Sequence, residues 1–474
     1  MRLYDTRSRH VEDIVPSTHG HLKVYCCGPT VYRYAHVGNL RTFLLGDLVA
    51  RTAEVVHGWR TTVVQNITDV GHMQGDVDPG DLAPDGADSA EDKLLAAARA
   101  EQRSAIDIAR HYEEAFHRDL SALNVRPADA YPRASDSIDL MLELIGTLVE
   151  RGHAYVGTDG SVFFDAQSFD TYGEISGNRL DHLKPGHRFE GGVDESKRFH
   201  ADWALWKSAG ERTELIWESP WGTGFPGWHV ECSAMSLEHL GDPIDVHTGG
   251  IDLRFPHHED ERAQTNAAVG HDVVRHWVHA EHLLFEGRKM AKSTGNVVLL
   301  SDVIERGLDP LAVRLAFLGM RYRTQADLTW ASLEAAEHQL ARWRGLVAQW
   351  AEAPSKPMGA HYVEQLHSAF AEDLDSPRAL QVMRTIERDA EIAAGEKFEL
   401  YAHADRLLGL DLARDVGRAK PVATLPAGAQ TMLDRRAEAR TNKDFGTSDA
   451  LRDELAVLGV TVTDTKDGQT WTTA

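Results

Sequence analysis

Four residues of this chain, Cys27 and, more than two hundred positions later, Cys232, His257 and Glu261, are of the types that hold a soft divalent cation. Two thiolates, one imidazole and one carboxylate make a tetrahedral donor set suited to zinc. His257 and Glu261 stand four apart in Pro256-His257-His258-Glu259-Asp260-Glu261, a spacing that puts both side chains on one face of a helix. The same residues also fit two buried cysteines and a helical first turn whose acids favour the positive end of the dipole. Spacing alone leaves both readings open. The chain holds only three cysteines, too few for a disulfide framework, and the adjacent Cys26 and Cys27 point to opposite faces of a strand, so at most one of them faces a site.

Two other stretches are suited to phosphates. In His36-Val37-Gly38-Asn39, Gly38 lets a backbone approach a bulky ligand, and His36 and Asn39 are donors at a helix N-terminus that already favours an anion. An incidental histidine at a helix start fits those four residues as well. Gly287-Arg288-Lys289-Met290-Ala291-Lys292-Ser293-Thr294-Gly295-Asn296 sets three cations among glycines and hydroxyls after an apolar strand. Such a loop is able to close over a polyphosphate and neutralise charge on a leaving group. Solvated charge runs are commoner, but the turn residues bracketing this one favour a function.

The elements that must position these residues follow from periodicity. Leu22–Cys26 reads as a strand entering a Gly/Pro turn, with a helix from about Asn39 through Val56 and a β-branched strand over 61–67. Residues 74–88 are rich in Gly, Pro and Asp and read as a mobile surface loop. Helices are expected over 89–123, with Ser89 as N-cap, and over 137–151; a hairpin over 155–164; and an irregular stretch over 169–201. The α/β pattern resumes with helices 231–240 and 257–269 and strands 244–247 and 276–285. Beyond 302 the pattern is helical, at 309–319, 328–351, 358–372, 376–396 and 401–408; a linker spans 415–428, and short helices at 432–440 and 447–458 precede a hairpin over 460–471.

We therefore expect an α/β fold: a doubly wound, Rossmann-like parallel catalytic sheet over 1–300 with an insertion at about 120–230, an α-helical bundle over 301–412, and a small C-terminal module over 427–474. At 474 residues and 42% hydrophobic the chain can bury a large core; a net charge of -23 argues against broad, sequence-blind nucleic-acid binding. No apolar run is long enough to span a membrane and the first thirty residues lack a signal-peptide core, so a cytoplasmic location and no membrane partner are expected.

In combination these motifs resemble the cysteinyl-tRNA synthetase family, of the class I aminoacyl-tRNA synthetases, over nearly the whole length. His36-Val37-Gly38-Asn39 corresponds to the His-Ile-Gly-His signature and Lys289-Met290-Ala291-Lys292-Ser293 to the Lys-Met-Ser-Lys-Ser signature. Gly227-Trp228-His229-Val230-Glu231-Cys232, Gly249-Gly250-Ile251-Asp252 and Pro256-His257-His258-Glu259 are characteristic of the cysteine enzyme. The resemblance implies one zinc on Cys27, Cys232, His257 and Glu261, with Glu261 the ligand that yields when substrate binds. It implies catalytic roles for His36, Asn39, Lys289 and Lys292; ATP contacts from His36, Asn39, Lys292 and Asp252, with Mg2+; and contacts to substrate cysteine from Thr68 and Trp228.

It further implies that the C-terminal module makes an anticodon-binding surface with Arg440, Phe445, Asp449 and Asp464 as readers and Trp471 nearby. The partners implied are L-cysteine, ATP and the tRNA for cysteine, with a monomer as the active unit. Zinc favours a thiolate over a serine hydroxyl, and no segment resembles an editing domain. Asn39 and Ala291 depart from the two signatures, and Gly71-His72-Met73 with the acidic 76–92 stretch stands where many members carry paired acids. Two alternatives remain: a ligase joining cysteine to a small amino-sugar, as in mycothiol synthesis, which lacks a tail beyond Pro426, and a non-catalytic paralogue binding tRNA or zinc.

Overall fold

The computed structural model describes residues 1–71, 92–183, 196–290, 296–418, 425–465 and 468–473, and the chain divides into two compact units, Met1–Val416 and Gly417–Ala474. The first opens with an antiparallel hairpin, β1 (Arg2–Asp5) and β2 (His10–Asp13), followed by β3 (His21–Cys26), α1 (Val37–His57) and β4 (Arg60–Gln65). Together with β9 (Ile244–Gly250) and β10 (Val274–Ala280), β3 and β4 form a wholly parallel sheet in the order β10-β9-β3-β4. Every residue of β9 is buried, as expected of a strand covered on both faces.

Helix α1 lies so close to β3 that a Cβ on Gly46 would collide with the Cys26 sulfur. Cys26 therefore faces the helix while Cys27, one residue on, faces the other way into the ends of the sheet. Between β4 and β9 the chain runs through α2 (Lys93–Glu101), α3 (Ala105–Ala122) and α4 (Ile138–Glu150). It then forms the antiparallel sheet β5 (Ala154–Val156), β6 (Val162–Phe164), β7 (Trp203–Ser208), β8 (Gly224–Pro226) before returning as α5 (Trp228–Leu240). Helix α6 (His257–Val269) connects β9 to β10 and packs beside α5.

Past β10 a small sheet, β11 (Leu283–Phe285), β12 (Arg288–Lys289) and β13 (Ala326–Leu328), brackets α7 (Leu300–Glu305) and α8 (Pro310–Leu318). Helices α9 (Trp330–Trp350), α10 (Ala360–Ala371), α11 (Ser376–Arg388) and α12 (Ala394–Leu408) then pack into the same core as α1. Asp47 of α1 is fully buried and accepts from Arg51 at 2.8 Å and from Arg314 of α8 at 2.6 Å. Arg314 donates further to the carbonyls of Leu123 and Leu408. The second unit holds α13 (Ala429–Thr441), α14 (Phe445–Val457) and the hairpin β14 (Val460–Thr465) and β15 (Gly468–Thr473) around Leu433, Leu455 and Val460.

Several expected elements change in detail. The helix expected over 89–123 is two, because Gln102 turns left-handed (φ 54°) and Ser104 caps a new start. The carboxylate of Asp92 caps α2; Ser89, like the 74–88 loop, lies outside the described residues. The strand expected over 276–285 divides into β10 and β11, which belong to different sheets. The helix expected over 376–396 stops at Arg388, and Leu328 belongs to β13 rather than to the helix after it. Gly46→Ala is expected to cost about 1–3 kcal/mol of stability through overpacking against Cys26, more than its gain in helix propensity, with most of the loss recovered in a Cys26→Ala background; urea unfolding of the two single variants and the double variant measures it.

Candidate active site and metal centre

The carboxyl ends of β3 and β9 meet the N-termini of α5 and α6, and the backbone there is fixed tightly. Cys27 N donates to Thr248 O at 3.0 Å, and Gly28 N donates to Asn66 Oδ1 at 2.8 Å. A side chain on Gly28 would run into the Asn66 carbonyl, so the turn after Cys27 admits only glycine. Cys232 lies just over one turn into α5 and Glu261 just over one turn into α6, so the two helices deliver their donors to Cys27 at the same depth.

Cys27, Cys232, His257 and Glu261 are all buried, and their donor atoms lie within 4.8 Å of one another. His257 Nε2 is 2.9 Å from Glu261 Oε1, and the Cys27 thiol lies 3.6 Å from the same oxygen. A second, overlapping set shares Cys27 and Glu261 and adds His247 and His258, whose Nε2 atoms lie 3.3 and 3.2 Å from the Cys27 sulfur. These two histidines carry no motif of their own: His247 is one more residue of a buried strand, and His258 is the neighbour of the residue singled out.

Hydrogen bonds orient the cluster from behind. His257 turns Nδ1 to His229 Nδ1 at 2.8 Å, and His229 Nε2 faces Asp260 at 3.4 Å. The Trp228 ring covers His257 at 4.3 Å. From Cys27 a chain of side chains runs through His258 to His279, Nδ1 to Nε2 at 2.8 Å, and from His279 to the Thr6 hydroxyl at 2.7 Å. Burial pushes the Cys27 thiol up, and the contact with Cys232 adds to it. Burial is the largest influence on Cys232 and works to raise it, but the hydrogen bond from Cys27 together with the charge and hydrogen bond of His257 outweighs it and holds that thiol below its ordinary range. Against burial, the Glu261 carboxylate and Cys232 raise His257. Burial lowers His247 to about 4 and His279 to about 3.

Thiol, imidazole and carboxylate donors, dry and mutually unfavourable as anions, fit a dication. Cys27, Cys232, His257 and Glu261 are the residues that would hold zinc, with His229 fixing the ring of His257.

A cleft opens beside the cluster, lined among others by Cys27, Trp228, Asn39, Thr42, Gly250 and Asp252. His36 and Asn39 cap α1 reciprocally: Asn39 N donates to His36 Nδ1 at 3.2 Å and His36 N to Asn39 Oδ1 at 3.2 Å. A neutral His36 that accepts at Nδ1 carries its proton on Nε2, the atom able to donate to a phosphate. Gly38 touches the second motif, since a Cβ there would come within 2.8 Å of Met290 Cε, and Val37 N donates to Val298 O at 2.9 Å. Lys289 belongs to β12, and Asn296 Nδ2 clamps the base of the loop by donating to Phe285 O at 2.9 Å. Lys292, with Ala291 and Ser293, lies outside the described residues, as do His72 and Met73.

Thr68 lies behind this cleft rather than along it: its hydroxyl donates to the buried carboxylate of Glu231 at 3.0 Å and accepts from Asn66 Nδ2 at 3.1 Å. Glu231 went unremarked in the sequence, where nothing but its place in the Cys232 motif marks it. In the C-terminal unit Arg440 pairs with Asp464 at 3.0 Å, and Asp464 is also held by the buried Arg436 at 2.9 Å. Asp449 pairs with Arg452, Phe445 is 58% exposed, and Trp471 packs partly onto the unit's core.

A parallel sheet with a histidine-capped helix at its crevice, a lysine motif packed against that cap and an inserted antiparallel sheet are the marks of a class I aminoacyl-tRNA synthetase. Residues 13–73 and 87–338 match the tRNA synthetases class I (C) catalytic domain family, and residues 423–471 the cysteinyl-tRNA ligase anticodon binding domain family. The chain belongs to the cysteine–tRNA ligase family, whose members ligate cysteine to its tRNA at the expense of ATP. It is 40% identical over 489 residues to the cysteine–tRNA ligase of Thermus thermophilus, covering 99% of this chain and 98% of the relative, and 38% identical over 515 residues to that of Salinibacter ruber, with the same coverage. Among solved structures, a Mycobacterium tuberculosis methionyl-tRNA synthetase bound by methionyl-adenylate has a TM-score of 0.54 at 16% identity, covering 90% of this chain and 96% of that one. The LeuRS of an Agrobacterium radiobacter LeuRS–tRNA–LeuAMS complex has a TM-score of 0.59 at 11% identity and 84% coverage of each. The fold is theirs.

The buried neutral histidines impose a pH dependence. His279 binds its proton only near pH 3 when folded, whereas an unfolded histidine does so near 6.5. Its contribution is thus complete above about pH 6.5 and is lost as pH falls toward 3, at about 1.4 kcal/mol per pH unit. Urea unfolding at pH 7, 6 and 5 is expected to show a shallower acid loss for His279→Gln than for the parent chain.

Proposed function

We propose that cysteine enters the cleft with its sulfur toward Cys27, Cys232, His257 and Glu261 and that ATP lies along the turn from Gly28 to Asn39. The observation that carries this reading is a single cleft lined both by Cys27 and Trp228 of the donor cluster and by Asn39, the partner of His36 in the α1 cap. A zinc ion held by the four donors would stabilise the substrate sulfur as thiolate, which a serine hydroxyl cannot match, and Glu261 is the donor proposed to yield.

Chemistry then rests on positioning and charge. The cysteine carboxylate attacks the α-phosphate of ATP, a P–O bond forms, the bond to the β-phosphate breaks and pyrophosphate leaves. His36 through Nε2, Asn39 through its amide, and Lys289 and Lys292 as cations stabilise the charge that builds on the phosphates, with Asp252 holding the ribose side and Mg2+ accompanying the nucleotide. A ribose hydroxyl of the terminal tRNA nucleotide next attacks the carbonyl, and AMP departs. Thr68 supports the amino-acid end through Glu231 and Asn66, and Trp228 covers it.

Residues 301–412 are proposed as a helical bundle domain, and the C-terminal module 427–474 as the part that reads the anticodon. There Phe445 offers a stacking face and Arg440 a guanidinium, with Asp449 and Asp464 fixing arginines around them. The active unit is taken to be the monomer, working in the cytoplasm; no described helix is long and apolar enough to cross a membrane. Transfer to an amino-sugar has no use for the anticodon-type module matched at 423–471, and a non-catalytic role has no use for the paired signatures.

Incubation with ATP, cysteine and total tRNA is expected to yield cysteinyl-tRNA, and charging of no tRNA overturns the reading. Lys289→Ala is expected to lower cysteine-dependent pyrophosphate exchange by about 10²–10³-fold with zinc content unchanged. Cys232→Ser is expected to lose bound zinc, measured by atomic absorption, and to narrow the preference for cysteine over serine; full zinc with full preference refutes the ligand assignment.

A further inference from the structure

A second cleft opens on the far side of the short turn Ile251–Arg254, whose Asp252 and Leu253 line the catalytic cleft while Ile251 and Arg254 line this one. It lies at the carboxyl ends of β9 and β10, beside the β1–β2 hairpin, and Tyr4, Thr6, Arg9, His279, Glu281 and Arg323 complete the wall. In a chain of net charge -23, three guanidinium groups around one hollow are conspicuous.

Their pairing sets them apart. Arginines elsewhere in this unit, such as Arg51, Arg133, Arg262 and Arg344, have carboxylate partners. In this cleft Arg323 is held by Asp373, but the side chains of Arg9 and Arg254 make no hydrogen bond or ion pair among the described residues. The carboxylate of Glu281 accepts from His282 N at 3.0 Å and is one charge against two. Arg9 also sits at φ 64°, where glycine rests without strain and an arginine does not. Its guanidinium lies against Gly177, at whose position a Cβ would come within 2.8 Å of Arg9 Nη2, so the side chain is placed rather than loose.

We propose that this cleft binds backbone phosphates of the tRNA strand whose 3′ end enters the catalytic cleft, with Arg9 and Arg254 as the phosphate-binding groups. The inference rests on the cysteine–tRNA ligase reading. A strand delivering its last ribose to the cleft lined by Asp252 passes within one turn of chain of these guanidinium groups, and phosphodiester is the anion it brings with it.

Arg9→Gln and Arg254→Gln in the full-length protein are each expected to raise the Kd for tRNA by about three- to tenfold and to lower the slope of log Kd against log salt by about one. Arg9→Gln is expected to leave cysteine-dependent pyrophosphate exchange, which needs no tRNA, unchanged, and Arg9→Lys is expected to restore most of the affinity. Unchanged tRNA affinity and salt slope in both variants overturn the proposal. A raised KM for pyrophosphate with tRNA affinity intact also overturns it, since the cleft would then take a free phosphate ligand. Failure of the parent chain to charge any tRNA, with pyrophosphate exchange intact, overturns the reading beneath it instead.

Discussion

Two thiols, a carboxylate and several imidazoles are packed out of water at the ends of β3 and β9, and this arrangement governs how the catalytic unit is built. Taking a carboxylate into a dry interior costs several kcal/mol unless it is paired. Here Glu261, Cys27 and Cys232 would repel one another if all ionised, so the cluster shares protons: Cys27 is pushed up, Cys232 held down and His257 raised. A dication held by these donors would displace those protons and turn the repulsion into ligation. The surrounding groups keep the donors from relaxing apart, Gly28 by admitting no side chain, Trp228 by covering His257, and His229 by holding its ring.

A short stretch of backbone joins this cluster to the cap of α1. From Cys27 to His36 the chain leaves β3 and enters α1, and the reciprocal cap between His36 and Asn39 fixes where the helix begins. Because Gly38 rests on Met290 and Val37 bonds to Val298, the base of the lysine loop is registered against that cap. The separation between the donor cluster and the His36–Asn39 cap is therefore a property of tightly packed main chain rather than of long side chains, which is the condition the proposed reaction needs to hold its reactants in a near-attack geometry.

Much of this was legible in the residues. Spacing in His257–Glu261 and the types of Cys27 and Cys232 gave one donor set, and β-branched runs gave the parallel strands. What the sequence hid were pairings across long separations. His247 and His279 sit among other polar residues in buried strands, indistinguishable from structural histidines until β9 and β10 lie side by side. Thr68 reads as a cleft residue, yet its hydroxyl is committed to Glu231, more than a hundred and sixty positions away. Helix ends moved where a cap outweighed periodicity, as at Gln102 and Ser104. In the C-terminal unit the salt bridges of Asp464 with Arg436 and Arg440 decide which groups remain to meet a base, and no local pattern announces them.

Asp47 has a consequence for the order in which the chain is made. It sits in the first crossover helix, yet Arg314, the group that donates to it at 2.6 Å, emerges from the ribosome more than two hundred and sixty residues later, and the Leu408 carbonyl that anchors Arg314 later still. Until then Arg51 is its close guanidinium partner on α1. Synthesis thus delivers the start of the parallel sheet long before the charge beneath it is fully compensated, and β9 and β10 are themselves late. Because the parallel sheet and the helices through α12 share one core, α1 reaches its final packing only once the chain through Leu408 is available, with Arg51 and Arg126 the partners of Asp47 before that.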